Sequence, residues 1–151
     1  MVDNRIERET EIAAPADLVW RAVTEPEHVG AWFGSGQPTR IDLRPGGRIV
    51  FDHPGHGDIP AVVETVDAPR SYSFRWAVIG PPGEEPREGN STVVELFLSG
   101  EGERTRLRLV ETGFAAVVAP KDELDARYEA NSKGWARILD GLRQHTVQLS
   151  V

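Results

Sequence analysis

The last third of the chain carries one long apolar stripe, and few folds can accommodate it. After Pro120, the residues Leu124, Tyr128, Asn131, Trp135, Ile138 and Leu142 recur every three or four positions, the spacing of one face of an α-helix. Asp122 and Glu123 stand where they complement the positive end of the helix dipole. About 24 residues at 1.5 Å each make a rod of roughly 36 Å, the width of a small domain. Such a stripe needs a broad apolar surface to lie on. A chain of 151 residues has size for one core, so that surface has to come from the segments ahead of the helix. Gly134 sits inside the helical run, where it costs about 1 kcal/mol relative to alanine, and it is therefore expected to pack closely against another backbone.

The segments ahead of the helix repeat with a period of two. Ile6, Thr10 and Ile12 share one parity against Glu7, Glu9 and Glu11. The same alternation continues through Thr39, Ile41 and Leu43, through Ile49 and Phe51, across 61–66, through Tyr72, Phe74, Trp76 and Val78, and across 92–99 and 104–112. Seven strands are predicted, and the short turns between most of them make neighbours antiparallel. Between the first two strands, Pro15 opens a short helix carrying Leu18, Val19, Ala22 and Val23, and Pro26 opens a second helical turn that reaches Trp32. Gly100-Glu101-Gly102-Glu103 has the glycines of a tight hairpin. Residues 81–90 offer nothing apolar to bury and read as a mobile surface loop.

This order predicts an α+β fold in a single domain over residues 1–151. A curved antiparallel sheet of about seven strands wraps the long C-terminal helix, with two short helices after the first strand. A twisted sheet curls, and one helix covers its concave face without filling it, so a cavity is expected between them. Phe51, Phe74, Trp76 and Trp135 fall on the inner parities. Trp32, with Phe33 beside it, and Phe114 fall where loops meet the helix. Such a lining suits an apolar or aromatic ligand.

Composition excludes several classes of partner and chemistry. A net charge of −7 repels phosphate backbones and anionic lipid headgroups, so nucleic acid and membrane insertion are not expected. The chain has no cysteine, which removes disulfides, thiolate metal sites and thiol nucleophiles. No apolar stretch is long enough to span a bilayer, and the first residues lack a signal-peptide core, so a cytoplasmic location is expected. Abundant Arg, Ala, Gly and Pro with only two lysines hint at a GC-rich bacterial source.

The candidate chemistry is sparse. His53-Pro54-Gly55-His56 supplies two imidazoles in a turn without an evident third ligand, so no metal and no cofactor is expected. His53 shares parity with Phe51 and reads as a polar residue at the cavity rim. Asn131 interrupts the helical stripe and needs a ligand, water or protein partner if it faces inward, while Tyr128 pairs an apolar ring with a hydroxyl. Arg8 shares parity with Ile6 and is expected to reach solvent near the sheet edge; facing the helix, it would need an acid or an anionic ligand. Arg104, Arg106 and Arg108 alternate with apolar residues and should stand together on the outer face, offset by acids. No nucleophile elbow or phosphate loop is present; Glu64, Tyr128 and His53 are the candidates for acid–base work, and no catalytic residue is assigned.

The stretch from Glu11 through Pro15 and Trp20 to Glu27 resembles the opening of bacterial single-domain proteins of the family named for the activator of the ninety-kilodalton heat-shock protein's ATPase. Arg44-Pro45-Gly46-Gly47-Arg48, Glu64-Thr65-Val66-Asp67-Ala68-Pro69-Arg70, Phe74-Arg75-Trp76, Thr112-Gly113-Phe114 and Gly134-Trp135 agree with it. The resemblance spans about residues 5–145 and implies the helix-grip fold of the START-like and birch-pollen-allergen superfamily. Members of that superfamily typically enclose a hydrophobic ligand, and a minority are cyclases, dehydratases or lyases.

Three functions follow as expectations. The first is binding of a small hydrophobic or aromatic molecule by Trp32, Phe33, Phe51, His53, Phe74, Trp76, Phe114, Tyr128, Asn131 and Trp135. The second is a cyclase, lyase or hydrolase using the same cavity. The third is a protein-interaction or chaperone-cofactor module, with the chain a monomer or homodimer.

Overall fold

The computed structural model describes residues 4–53, 55 and 57–149, with the side chain of His53 outside the description. Strand β1 (Arg5–Ile12) leads into helices α1 (Ala16–Thr24) and α2 (Pro26–Trp32). Strands β2 (Arg40–Ile41), β3 (Arg48–His53), β4 (Gly57–Asp67), β5 (Ser71–Ala77), β6 (Ser91–Glu101) and β7 (Arg104–Thr112) follow, and helix α3 (Lys121–Leu149) is the last element among the described residues. The strands form one seven-stranded antiparallel sheet in the order β1-β7-β6-β5-β4-β3-β2. The sheet curves around α3 in the helix-grip arrangement. A register shift between Val63 and Thr65 inserts a bulge in β4, a device that bends and twists a strand locally.

Alternation sets which faces are buried. On β7, Thr105, Leu107, Leu109 and Glu111 are buried to the last atom on the helix side. Arg104, Arg106 and Arg108 stand on the other face and pair with Glu11, Glu9 and Glu7 of β1, as expected of the outer row. The Arg108 guanidinium, and then that of Arg5, hold the Glu7 carboxyl below the usual carboxylate range. Exposed pairs of this kind each contribute about 0–1 kcal/mol, so the ladder sets register more than stability. The β6–β7 hairpin turns on Gly102, whose φ of +67° is the positive value that a two-residue turn of matching twist requires.

Helix α3 lies across the concave face with Trp135, Leu139, Leu142 and Thr146 buried, and α1 adds Val19, Ala22 and Val23 to the same core. It runs for 29 residues, longer than the periodic stripe suggested, because no glycine or proline stops it after Leu142. The Tyr72 hydroxyl donates to the Val23 carbonyl at 2.7 Å, tying β5 to α1, and burial pushes its pKa up. Between α2 and α3, His28 Nδ1 and His145 Nε2 lie 3.1 Å apart.

That histidine contact carries a pH dependence. Burial, and secondarily the charge of His28, lower the pKa of His145. The unfolded chain therefore binds the His145 proton more readily. Stability from this group is complete above the ordinary imidazole value of about 6.5 and is lost as pH falls through the lowered folded value. Urea unfolding at pH 7.5 and 5.5 should show a drop on acidification that shrinks in His145→Gln; an identical drop in the variant would refute the assignment.

Three local expectations are corrected. The second strand shrinks to Arg40–Ile41: the Thr39 amide bonds the Pro26 carbonyl at 2.9 Å, and the chain turns at once through Pro45-Gly46-Gly47. Residues 81–90 are a tied segment and not a loose loop. Arg48 donates twice to Glu85, the Asn90 side chain bridges Arg87 and Glu85, and the Gly89 carbonyl takes the Val118 amide at 2.7 Å. Polar side chains supply there the anchoring that apolar ones do elsewhere. Gly134 has no atom within 4 Å of where its Cβ would stand, so it opens space instead of admitting a backbone.

Candidate functional site

That space is part of a cavity of about 410 Å³ between α3, the end of β5 and the segment that follows it. Trp76 and Trp135 line it with their rings 5.4 Å apart and nearly parallel, and Phe33 joins them at 6.1 Å and 6.2 Å. Ile59, Val78 and Ile138 add aliphatic surface, Asn131 and Gly134 face it from α3, and Gly80-Pro81-Pro82-Gly83 forms one rim. Arg127 and Arg137, both exposed, stand on the α3 side of the opening.

Behind the indoles lies the residue that orders them. Glu111, on the inner row of β7, is 0% exposed, and its carboxyl oxygens accept four donors. Trp76 Nε1 lies at 3.0 Å, Trp135 Nε1 at 2.8 Å, Thr92 Oγ1 at 2.6 Å and Asn131 Nδ2 at 3.2 Å. A buried acid without a cation must be satisfied by hydrogen bonds, and here neutral donors from β5, β6 and α3 do so. Both indole N–H groups are consumed, so the tryptophans turn ring surface and not donors toward the cavity. Asn131 spends its amide NH2 on Glu111, and its Oδ1 has no hydrogen-bond partner among the described residues.

The residues singled out in the sequence divide into those on the cavity and those off it. Phe33, Trp76, Asn131 and Trp135 line it. Phe51 and Phe74 touch the lining rings without lining the space, at 5.8 Å and 5.3 Å from Trp76. Trp32 donates its indole N–H to the Ala22 carbonyl at 2.7 Å and locks α2 to α1. Phe114 and Tyr128 pack edge to face at 5.1 Å, and the Tyr128 hydroxyl donates to the Arg5 carbonyl. The His53 side chain and His56 lie outside the described residues, so the two-imidazole turn is not placed.

Glu64 faces outward and pairs with Arg75 at 3.1 Å. Arg8 does not reach solvent at the sheet edge as expected; its Nη2 donates to the Ser132 hydroxyl at 2.6 Å and to the Ser132 carbonyl at 3.2 Å, beneath α3. Edge position on the sheet did not free it, because α3 packs over β1. Sequence reasoning missed Glu111, Arg127 and Arg137. Glu111 had a signal: it is the acid on the inner parity of a strand whose outer parity is marked by three arginines.

One group of metal-capable side chains occurs among the described residues. Glu25, Glu27 and His28 bring ligand atoms within 4.8 Å of one another, away from the cavity lining. The Glu25 carboxylate pairs with Arg21 at 3.4 Å and lies 3.4 Å from His28 Nε2. No helix among the described residues is long and apolar enough to cross a membrane.

Solved structures share this architecture. A Mesorhizobium loti protein is similar at a TM-score of 0.75 and 21% identity, over 95% of this chain and 97% of that one. CalU16 from Micromonospora echinospora is similar at 0.66 and 25%, over 94% and 75%. Aha1 from Colwellia psychrerythraea, solved as a dimer, is similar at 0.70 and 18%, over 95% and 94%. Among curated proteins none matches the chain. The family model described as Activator of Hsp90 ATPase homolog 1-like protein matches residues 13–146, nearly all of the helix-grip architecture above, and the chain belongs to that family.

Proposed function

We propose that the chain binds a small hydrophobic or aromatic molecule in the cavity between α3 and the end of β5. The observation that carries this reading is a space of about 410 Å³ walled by Trp76, Trp135 and Phe33, with Asn131 facing it from α3. Ligand sites of about 300–1,000 Å³ with mostly apolar walls and few polar groups have this character. Affinity would come from apolar area removed from water, about 25 cal/mol per Å², and Asn131 would orient a ligand N–H or O–H.

The fluorescent probe N-phenyl-1-naphthylamine, which is neutral and brightens in apolar surroundings, tests the reading. Wild-type protein should enhance its emission saturably. Gly134→Phe places a ring in the open space beside Trp135, and it should weaken probe binding at least about tenfold while the far-ultraviolet circular dichroism stays unchanged. Equal binding by both proteins, or none by the wild type, would overturn the placement.

A further inference from the structure

The chain has 17 lysines and arginines, and among the described residues all but two hold a side-chain partner. Fourteen pair with a carboxylate, and Arg8 holds Ser132. The two without one among the described residues are Arg127 and Arg137, and both border the cavity. They are ten positions apart on α3, about 15 Å along its axis, with Asn131 and Gly134 between them.

Three acids close to them in the fold form no ion pair with either. Asp140, one turn beyond Arg137, accepts from Arg143 at 2.6 Å and Gln144 at 3.0 Å. Glu84, on the opposite rim, pairs with Arg87 at 2.7 Å. Glu123, one turn before Arg127, pairs with neither. In a protein with 24 acidic residues and a net charge of −7, two arginines without an ion pair among the described residues stand at one cavity mouth, against the sign of the global field. Their charge acts over about one Debye length, roughly 8–10 Å, at the place where a ligand's polar end would emerge.

We infer that the ligand is an amphipathic anion: an apolar or aromatic body seated against Trp76, Trp135 and Phe33, with a carboxylate, sulfonate or phosphate group held at the mouth by Arg127 or Arg137. This inference rests on the cavity reading proposed above and specifies its chemical class. Guanidinium groups suit the role because their planar donors engage oxyanions two at a time. The committed indole N–H groups leave no competing donor from Trp76 or Trp135 deeper in the site.

Two dyes with one ring skeleton separate this inference from the cavity reading. N-phenyl-1-naphthylamine is neutral, and 8-anilino-1-naphthalenesulfonate adds the anionic head. The Arg127→Gln/Arg137→Gln double variant should weaken the sulfonate about fivefold at low salt while the neutral dye changes by less than about twofold, since an exposed ion pair accounts for a factor of roughly two to five. Added salt should weaken the sulfonate on wild type toward the double variant's level. Arg106→Gln, which removes an outward-facing arginine paired with Glu9, should leave both dyes unaffected. Neutral-dye binding with a sulfonate affinity that ignores the double variant overturns the anionic class and leaves the cavity reading intact. Neutral-dye binding that is absent, or indifferent to Gly134→Phe, overturns the cavity reading and this inference with it.

Discussion

Glu111→Gln is expected to cost about 3 kcal/mol of folding stability, although the two side chains differ by a single heavy atom. The carboxyl accepts from Trp76, Thr92, Asn131 and Trp135 and has no exposed surface. A glutamine amide offers one oxygen in place of two and turns an NH2 toward groups that are themselves donors. With the glutamine oxygen at the Oε2 position Trp135 Nε1 faces an NH2, and with the amide reversed Trp76 Nε1 and Thr92 Oγ1 do, and each buried group left unpaired costs about 1–3 kcal/mol. For a chain of this length 1 kcal/mol moves the melting temperature by about 2–4 °C, so a fall of roughly 6–12 °C should appear in thermal circular dichroism. Glu111→Ala should fall comparably, because it also strands the donors. A glutamine variant that melts with the wild type would show that this network contributes nothing.

Trp135→Ala is expected to do more, at about 3–5 kcal/mol. The indole is 3% exposed, stacks on Trp76, meets Phe33 and donates to Glu111. Its removal strips one wall from the cavity and one donor from the buried acid. Urea denaturation should place the midpoint well below that of wild type, and N-phenyl-1-naphthylamine should bind at least about tenfold more weakly to the fraction that remains folded. Trp135→Phe separates the two losses. It keeps a ring against Trp76 and deletes the N–H, so it should retain most probe affinity and lose about 1–2 kcal/mol of stability. If Trp135→Ala left both stability and probe binding unchanged, the indole pair could not be the wall described here.

The likeness to CalU16 and to the Mesorhizobium loti protein, at 25% and 21% identity, concerns architecture. In this chain Gly134 enlarges the cavity and the Gly80-Pro81-Pro82-Gly83 rim bounds it, whereas Glu111 holds two of its walls from behind. Substitutions at the first group should alter what fits, and substitutions at Glu111 should alter whether the wall stands at all.

Much of the fold was legible because strand and helix periods report, residue by residue, which way a side chain points. Ile6 and Ile12 inward, Glu7 and Glu9 outward, Trp76 and Trp135 buried, and the Arg104, Arg106 and Arg108 row paired with β1 all follow from that local signal. Direction alone names no partner. Whether Gly134 meets a backbone or opens a space depends on how far α3 stands from the sheet. The anchoring of residues 81–90 depends on Arg48 and Val118 arriving from distant parts of the chain. Trp76 and Trp135 meet Glu111 across 35 and 24 residues of sequence, through strand register on one side and helix docking on the other. Local pattern therefore fixed the order of elements and the face most side chains take. Which inward groups converge, and that Arg127 and Arg137 have no ion pair among the described residues, came from the folded arrangement, because pairing is a property of distances between elements and not of spacing within them.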